Sequence, residues 1–176
     1  MMSGTDKIYL VCPGKKAITK DIVNIFDFAE IDEFPDTKQQ KDYFEVWMES
    51  LRRGLKRIMT DEMWSNLIKG VVQELPFPPA YLEKYVLYPV RFYGNINEEF
   101  DTDVSYFGDW TGENFPCKEY YYKIEWIKVR PRYLKYRGRL IGPEVVDASE
   151  EFEALLKKYS IPYEEKNGTY CIYGYR

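Results

Sequence analysis

Pro76-Phe77-Pro78-Pro79 divides this chain into two regimes. Proline lacks a backbone donor and restricts the residue before it, so this run belongs to neither helix nor central strand. Before it, apolar residues recur mostly at helical spacing. After it, they recur mostly at strand spacing. That change of period predicts an α+β fold: a helical N-terminal part, then a mostly antiparallel sheet with a C-terminal helix and β-hairpin. The expected organisation is a mainly helical segment over residues 1–75 packed on an α+β sheet domain over 76–176, or one single domain of the whole.

In the first regime, Lys7–Cys12 reads as a short buried strand ended by Pro13-Gly14. A helix follows from about Thr19, with Ile22, Ile25, Phe26 and Ala29 on one face. A longer helix is expected from Thr37 to Met59. Phe44, Trp47, Leu51, Leu55 and Ile58 form its apolar stripe, and Glu49 with Arg53 an ion pair. Thr60 is placed to cap a third helix, with Asp61 and Glu62 in its first turn and Gly70 at its end.

In the second regime, Tyr85–Tyr93 looks extended and Val104–Phe107 suits a short strand. Glu119–Arg130 has the strongest strand pattern. Tyr120, Tyr122, Ile124 and Trp126 share one face, then Ile127 and Val129 fall on the other. That slip predicts a bulge or burial on both faces near Trp126. Arg139–Ile141 is expected as another short strand. Ser149 is placed to cap the last helix, with Phe152, Leu155, Leu156 and Tyr159 on its buried side. Asn167-Gly168 then predicts a two-residue hairpin turn, because both turn positions need positive φ. Its register sets Glu165 opposite Tyr170.

Composition narrows the function. The chain holds no histidine, which removes the commonest neutral-pH base and metal ligand. Its cysteines number 3, at Cys12, Cys117 and Cys171, far apart and without a CxxC pair. They form neither a disulfide framework nor a zinc site, so no metal and no cofactor is expected. Apolar residues make up 45% and aromatics 18%, enough for a folded core. Ile8–Cys12 is too short for a signal peptide or a membrane span, so a cytoplasmic protein with no membrane partner is expected.

The charge is segregated. Asn95 to Cys117 carries Glu98, Glu99, Asp101, Asp103, Asp109 and Glu113, with no lysine or arginine. The same stretch holds Phe100, Tyr106, Phe107, Trp110 and Phe115. Lys118 to Arg139 carries Lys118, Lys123, Lys128, Arg130, Arg132, Lys135, Arg137 and Arg139 against Glu119 and Glu125. The two segments either pair with each other or present a recognition surface. In the second case Asp101, Asp103, Tyr106, Asp109 and Trp110 suit a basic protein partner, aromatics anchoring and acids steering. Arg130, Arg132, Tyr133, Arg137 and Arg139 instead suit phosphate or nucleic acid, with tyrosines as stacking platforms.

Motifs for other chemistry fail on their spacing. The residues from Asn95 lack both the glycine and the final glutamate of a calcium loop. Pro13-Gly14-Lys15-Lys16 lacks the first glycine and the hydroxyl of a phosphate loop. A carboxylate-dependent, metal-assisted hydrolase on Asp101, Asp103 or Glu125 requires those groups to converge. Glu125 among aromatics can have a raised pKa, or else a structural partner such as Arg130 or Lys123.

Three stretches carry a likeness. They are Trp64-x-x-Leu67-Ile68-Lys69-Gly70-Val71-Val72-Gln73-Glu74-Leu75-Pro76-Phe77-Pro78-Pro79, then Phe107-Gly108-Asp109-Trp110, then Glu125-Trp126-Ile127-Lys128-Val129-Arg130-Pro131-Arg132-Tyr133. With the C-terminal helix and hairpin they resemble an uncharacterised bacterial small-protein family over about residues 64–176. In style the chain is similar to the immunity proteins of polymorphic-toxin systems. The likeness implies a non-enzymatic, cytosolic inhibitor or immunity protein that masks a basic partner, such as a toxin or enzyme. It brings no functional residues with it.

Overall fold

The computed structural model describes residues 37–87, 100, 102–111 and 118–176. It divides into two compact units, Met1–Phe44 and Glu45–Arg176. Within the first, the described residues are the opening turns of helix α1, Thr37–Arg52. The expected strand at Lys7–Cys12 and helix from Thr19 lie outside the described residues. The second unit holds everything below.

Helix α1 stops at Arg52, earlier than Met59, because Gly54 takes φ +68°. Gly54 N–H donates to Leu51 O at 3.0 Å and Leu55 N–H to Ser50 O at 2.8 Å. These two bonds are a Schellman cap, which a glycine adopts without a Cβ penalty. The cap cuts the expected apolar stripe, leaving Leu51 and Ile58 exposed while Val46 and Ser50 are buried. Arg52, not Arg53, takes Glu49, at 2.6 Å.

Helix α2, Asp61–Glu74, starts where Thr60 Oγ1 accepts from Met63 N–H at 3.2 Å. It does not end at Gly70. A Cβ there would stand 2.6 Å from Leu155 Cδ1, so this glycine marks close packing against the last helix. That helix, α3, spans Ser149–Lys158. Its cap is not Ser149. Ser149 N–H instead donates to Asp147 Oδ1 at 2.9 Å.

The main sheet has strand order β1-β2-β6-β5, every pair antiparallel. The strands are β1 Ala80–Tyr85, β2 Ile124–Arg130, β5 Glu164–Lys166 and β6 Thr169–Tyr173. A separate hairpin pairs β3, Arg132–Lys135, with β4, Glu144–Asp147. Arg139–Ile141, expected as a strand, lies in the loop joining them. The chain thus has the α+β architecture expected from its period change. Asn167 and Gly168 both have positive φ, and Glu165 faces Tyr170 as the turn requires.

Helices α2 and α3 cover one face of the sheet. Trp64, Leu67, Val71, Phe152, Leu155 and Leu156 pack there with Ile124, Ile127, Val129, Tyr170 and Ile172 in one buried cluster. Each such side chain contributes about 1.5–3 kcal/mol by leaving water. Ala80, Leu82 and Phe100 form a smaller cluster, against which Val104 and Trp126 pack. No described helix is long and apolar enough to cross a membrane.

The phase slip near Trp126 has two physical causes. Lys118–Lys123 is a 3-10 turn, not strand, so its tyrosines follow another period. The ladder then skips Glu125: Tyr85 faces Ile124 and Lys84 faces Trp126. Glu125 is the extra residue of a bulge. Its carbonyl accepts from Gly174 and Tyr175 N–H at 2.9 and 3.0 Å. Both expectations for this point, a bulge and burial on both faces, are met.

Candidate functional surface

The acidic and basic segments meet along β3. Val104 pairs with Tyr133 as a parallel bridge, and Leu134 N–H donates to Val104 O at 2.7 Å. The acidic segment therefore runs alongside β3, an edge of the basic one. Asp103 sits at the junction. Its Oδ1 accepts from Arg130 Nε at 2.7 Å and its Oδ2 from Arg132 Nη2 at 3.1 Å.

Arg130 is 5% exposed. Its Nη1 also donates to Asn167 O at 2.8 Å and to Thr169 Oγ1 at 3.1 Å. Thr169 Oγ1 in turn donates to Phe100 O at 2.7 Å. One guanidinium thus ties the acidic segment, β2 and the C-terminal turn together. Pro131 separates Arg130 in the main sheet from Arg132 in the hairpin. Arg132 also approaches Asp147, Nε to Oδ2 at 3.6 Å. Burial raises the Asp147 carboxyl, but the Ser149 hydroxyl and N–H and the charge of Arg132 outweigh it and hold it low.

Trp110 is 3% exposed and belongs to the main core. Its Nε1 donates to Pro79 O at 2.7 Å. Gly108 N–H donates to Pro78 O at 3.2 Å, and Tyr81 Oη to Asp109 O at 2.9 Å. A Cβ on Gly108 would stand 2.3 Å from Pro79 O. Gly108-Asp109-Trp110 is thus docked onto the proline run, whose carbonyls accept. Trp110 faces inward, while Tyr106, Phe107 and Asp109 remain exposed. Phe107 stacks on Phe77 at 5.9 Å and meets Tyr133 edge-on at 4.8 Å, forming an aromatic ledge. Asp101 lies outside the described residues.

Glu125 has other partners than Arg130 or Lys123. Arg53 donates to both its oxygens, at 2.6 and 2.7 Å, and Lys84 Nζ to Oε1 at 3.0 Å. Burial pushes this carboxyl up, but the bonds from Arg53 and Lys84 outweigh it, so it titrates below the ordinary range. The carboxylates of Asp103 and Glu125 are each occupied by cations. Among the described residues no group of three acid, cysteine or histidine side chains is placed to hold a metal.

The outer end of the β3–β4 hairpin is an exposed surface that strand periodicity does not reveal. Tyr136 is 75% exposed and Leu140 100%, with Ile141 also exposed. Lys135, Arg137 and Arg139 flank them. Arg137 Nε lies 3.8 Å from Glu144 Oε2. Of the five residues suited to phosphate, Arg130 and Arg132 are held internally and Tyr133 belongs to the aromatic ledge. Arg137 and Arg139 stand at the hairpin end. The signal available in sequence was the aliphatic pair between glycines, Gly138-Arg139-Leu140-Ile141-Gly142, which strand periodicity absorbed.

No curated protein and no solved structure matches this chain. A family model does, over residues 47–176. That span contains the docked Gly108-Asp109-Trp110 turn, the proline run, the Glu125 bulge and the Arg130 junction, and the chain belongs to this family of unknown function, DUF6678.

Proposed function

We propose that this protein is a non-enzymatic protein-binding domain, in its most concrete form an inhibitor or immunity protein that masks a basic partner. The observation that carries the reading is the exposed pair Tyr106 and Phe107 beside exposed Asp109, held on a rigid base. The base is rigid because Gly108 and Trp110 on either side are bonded to the proline run. Aromatic anchors with restricted freedom lose little entropy on binding, and a neighbouring carboxylate steers a cationic partner. The net charge of −4 acts in the same direction.

The test is a tagged pull-down from the native lysate, with Tyr106→Ala/Asp109→Asn as comparison. Capture of one stoichiometric basic protein, lost in the double variant, supports the reading. Equal capture by the variant removes this surface, and no captured protein removes the function. A nucleic-acid reading retains one favourable observation, exposed Tyr136 among Lys135, Arg137 and Arg139. It requires binding of RNA or DNA that falls steeply with salt.

A further inference from the structure

We propose that the outer end of the β3–β4 hairpin docks on an anionic lipid surface, Leu140 and Ile141 entering the apolar layer while Lys135, Arg137 and Arg139 engage headgroups. The hairpin register sets Lys135 opposite Glu144, so residues 136–143 form the connecting loop. Leu140 is wholly exposed near its apex. Among the described residues, nothing beyond the adjoining residues lies within 4 Å of where a Cβ on Gly138 or Gly142 would stand. The loop therefore projects clear of the body of the molecule.

Three features of this loop match a fluid anionic layer. The aliphatic pair is exposed, and insertion into an apolar layer would bury it. Tyr136 and the basic side chains have apolar stems and polar ends, the character of residues at a membrane interface. Lys135 and Arg139 make no ion pair among the described residues, and Arg137 has only the distant Glu144. Asp103 and Asp147 lie at the base of the hairpin, beside Arg132, while Glu144 stands at the outer end of β4 opposite Lys135, leaving Lys135, Arg137 and Arg139 against one acid at the tip. The molecule is thus acidic overall with a basic, apolar tip, which orients the tip toward negative charge.

The loop residues have no ladder partners, and Arg139, Leu140 and Ile141 lie between two glycines. A shape-selective protein pocket rewards a rigid anchor, whereas a lipid layer accepts an adaptable one. This proposal departs from the expectation of no membrane contact, which rested on the lack of a spanning segment; surface docking needs none. It is independent of the surface at Tyr106 and Asp109.

The test uses the full chain with phosphatidylcholine vesicles, alone or with about one-third phosphatidylserine. Cosedimentation is expected with the anionic vesicles only, and lost at about 1 M salt, where the Debye length falls to ~3 Å. Arg139→Gln should weaken it about five-fold. Leu140→Ser/Ile141→Ser should weaken it at least about ten-fold with an unchanged urea midpoint. As a second readout, the Leu140→Trp emission, taken as the difference from the native chain with its 4 tryptophans, should shift to the blue with anionic vesicles. No sedimentation, or sedimentation indifferent to Leu140 and Ile141, overturns the proposal. So does an unshifted Leu140→Trp emission. Tip-dependent binding of polyglutamate without vesicle binding overturns it in favour of an acidic protein. Salt-sensitive binding of an oligonucleotide that ignores the aliphatic pair overturns it in favour of nucleic acid.

Discussion

Arg130 Nε donates to Asp103 Oδ1 at 2.7 Å, and this pair joins two stretches of opposite charge. The side chains are 6% and 14% exposed. Removing one partner of such a pair leaves a buried charge uncompensated. Asp103→Asn should therefore destabilise the protein by about 3 kcal/mol in urea unfolding. Asp109→Asn, at the exposed end of the same segment, should cost no more than about 1 kcal/mol, the range of an exposed polar interaction. A loss at Asp103 as small as the one expected at Asp109 would show that the junction contributes no stability. Binding experiments should use Asp109, because a change at Asp103 alters folding as well.

The Glu125 carboxylate governs a pH dependence. Its pKa in the folded protein is lowered from 4.5, after Arg53 and Lys84 overcome burial. The unfolded chain therefore takes up its proton first as pH falls. Stability from this group is present above the ordinary carboxylate range and is lost as pH falls from there through the folded value. Glu125→Gln should cost about 2 kcal/mol at neutral pH, because Arg53 and Lys84 remain partly hydrated. The variant should also lose less stability than the native chain between neutral and acid pH. Parallel urea midpoints across that range would sink the assignment.

Gly174 lies against the bulge. A Cβ there would meet Ile124 O at 2.0 Å, and backbone cannot rotate away as a side chain can. Gly174→Ala should cost about 3 kcal/mol or more, seen as a lowered urea midpoint. Gly138→Ala is a poor control, since Gly138 has φ +117°. Gly142→Ala, with open space around it, should change the midpoint by under about 0.5 kcal/mol.

Helix α3 ends in a Schellman cap built on Ser160, with φ +53°. Ser160 N–H donates to Lys157 O at 3.1 Å and Ile161 N–H to Leu156 O at 2.9 Å. Ile161 is buried in the main core beyond the turn. A non-glycine residue is strained here, so Ser160→Gly should stabilise the protein by about 0.5 kcal/mol. A lowered melting temperature would show that the serine side chain contributes something the cap geometry does not require.

Trp110→Phe keeps an aromatic ring in the core but removes the donor to Pro79 O. The lost bond should cost about 1–2 kcal/mol. Partner capture at Tyr106 and Phe107 should weaken in step, because the turn that holds them is anchored there. Full capture at unchanged affinity would separate the anchor from the surface.

Local chemistry determined much of this fold. Thr60, Asn167-Gly168 and the apolar face of Phe152, Leu155 and Leu156 each act within a few residues, so their effects were legible in one dimension. The slip at Trp126 also survived, since a bulge is written into strand phase. Gly54 was missed: it ends α1 at Arg52 by a local cap, but the apolar stripe running on to Ile58 hid the stop. What tertiary structure alone decided was pairing across distance. Composition allowed Asp103 to face a partner, or Arg130 and Arg132; only the approach of residues 103–107 to β3 selected the arginines. The same holds for Glu125, whose cations come from Arg53 and Lys84, and for Trp110, whose indole turned inward once the proline run offered a carbonyl. Sequence periodicity reports which residues avoid water. It does not report which charged or aromatic group finds its partner inside, because that depends on how segments far apart in the chain are brought together.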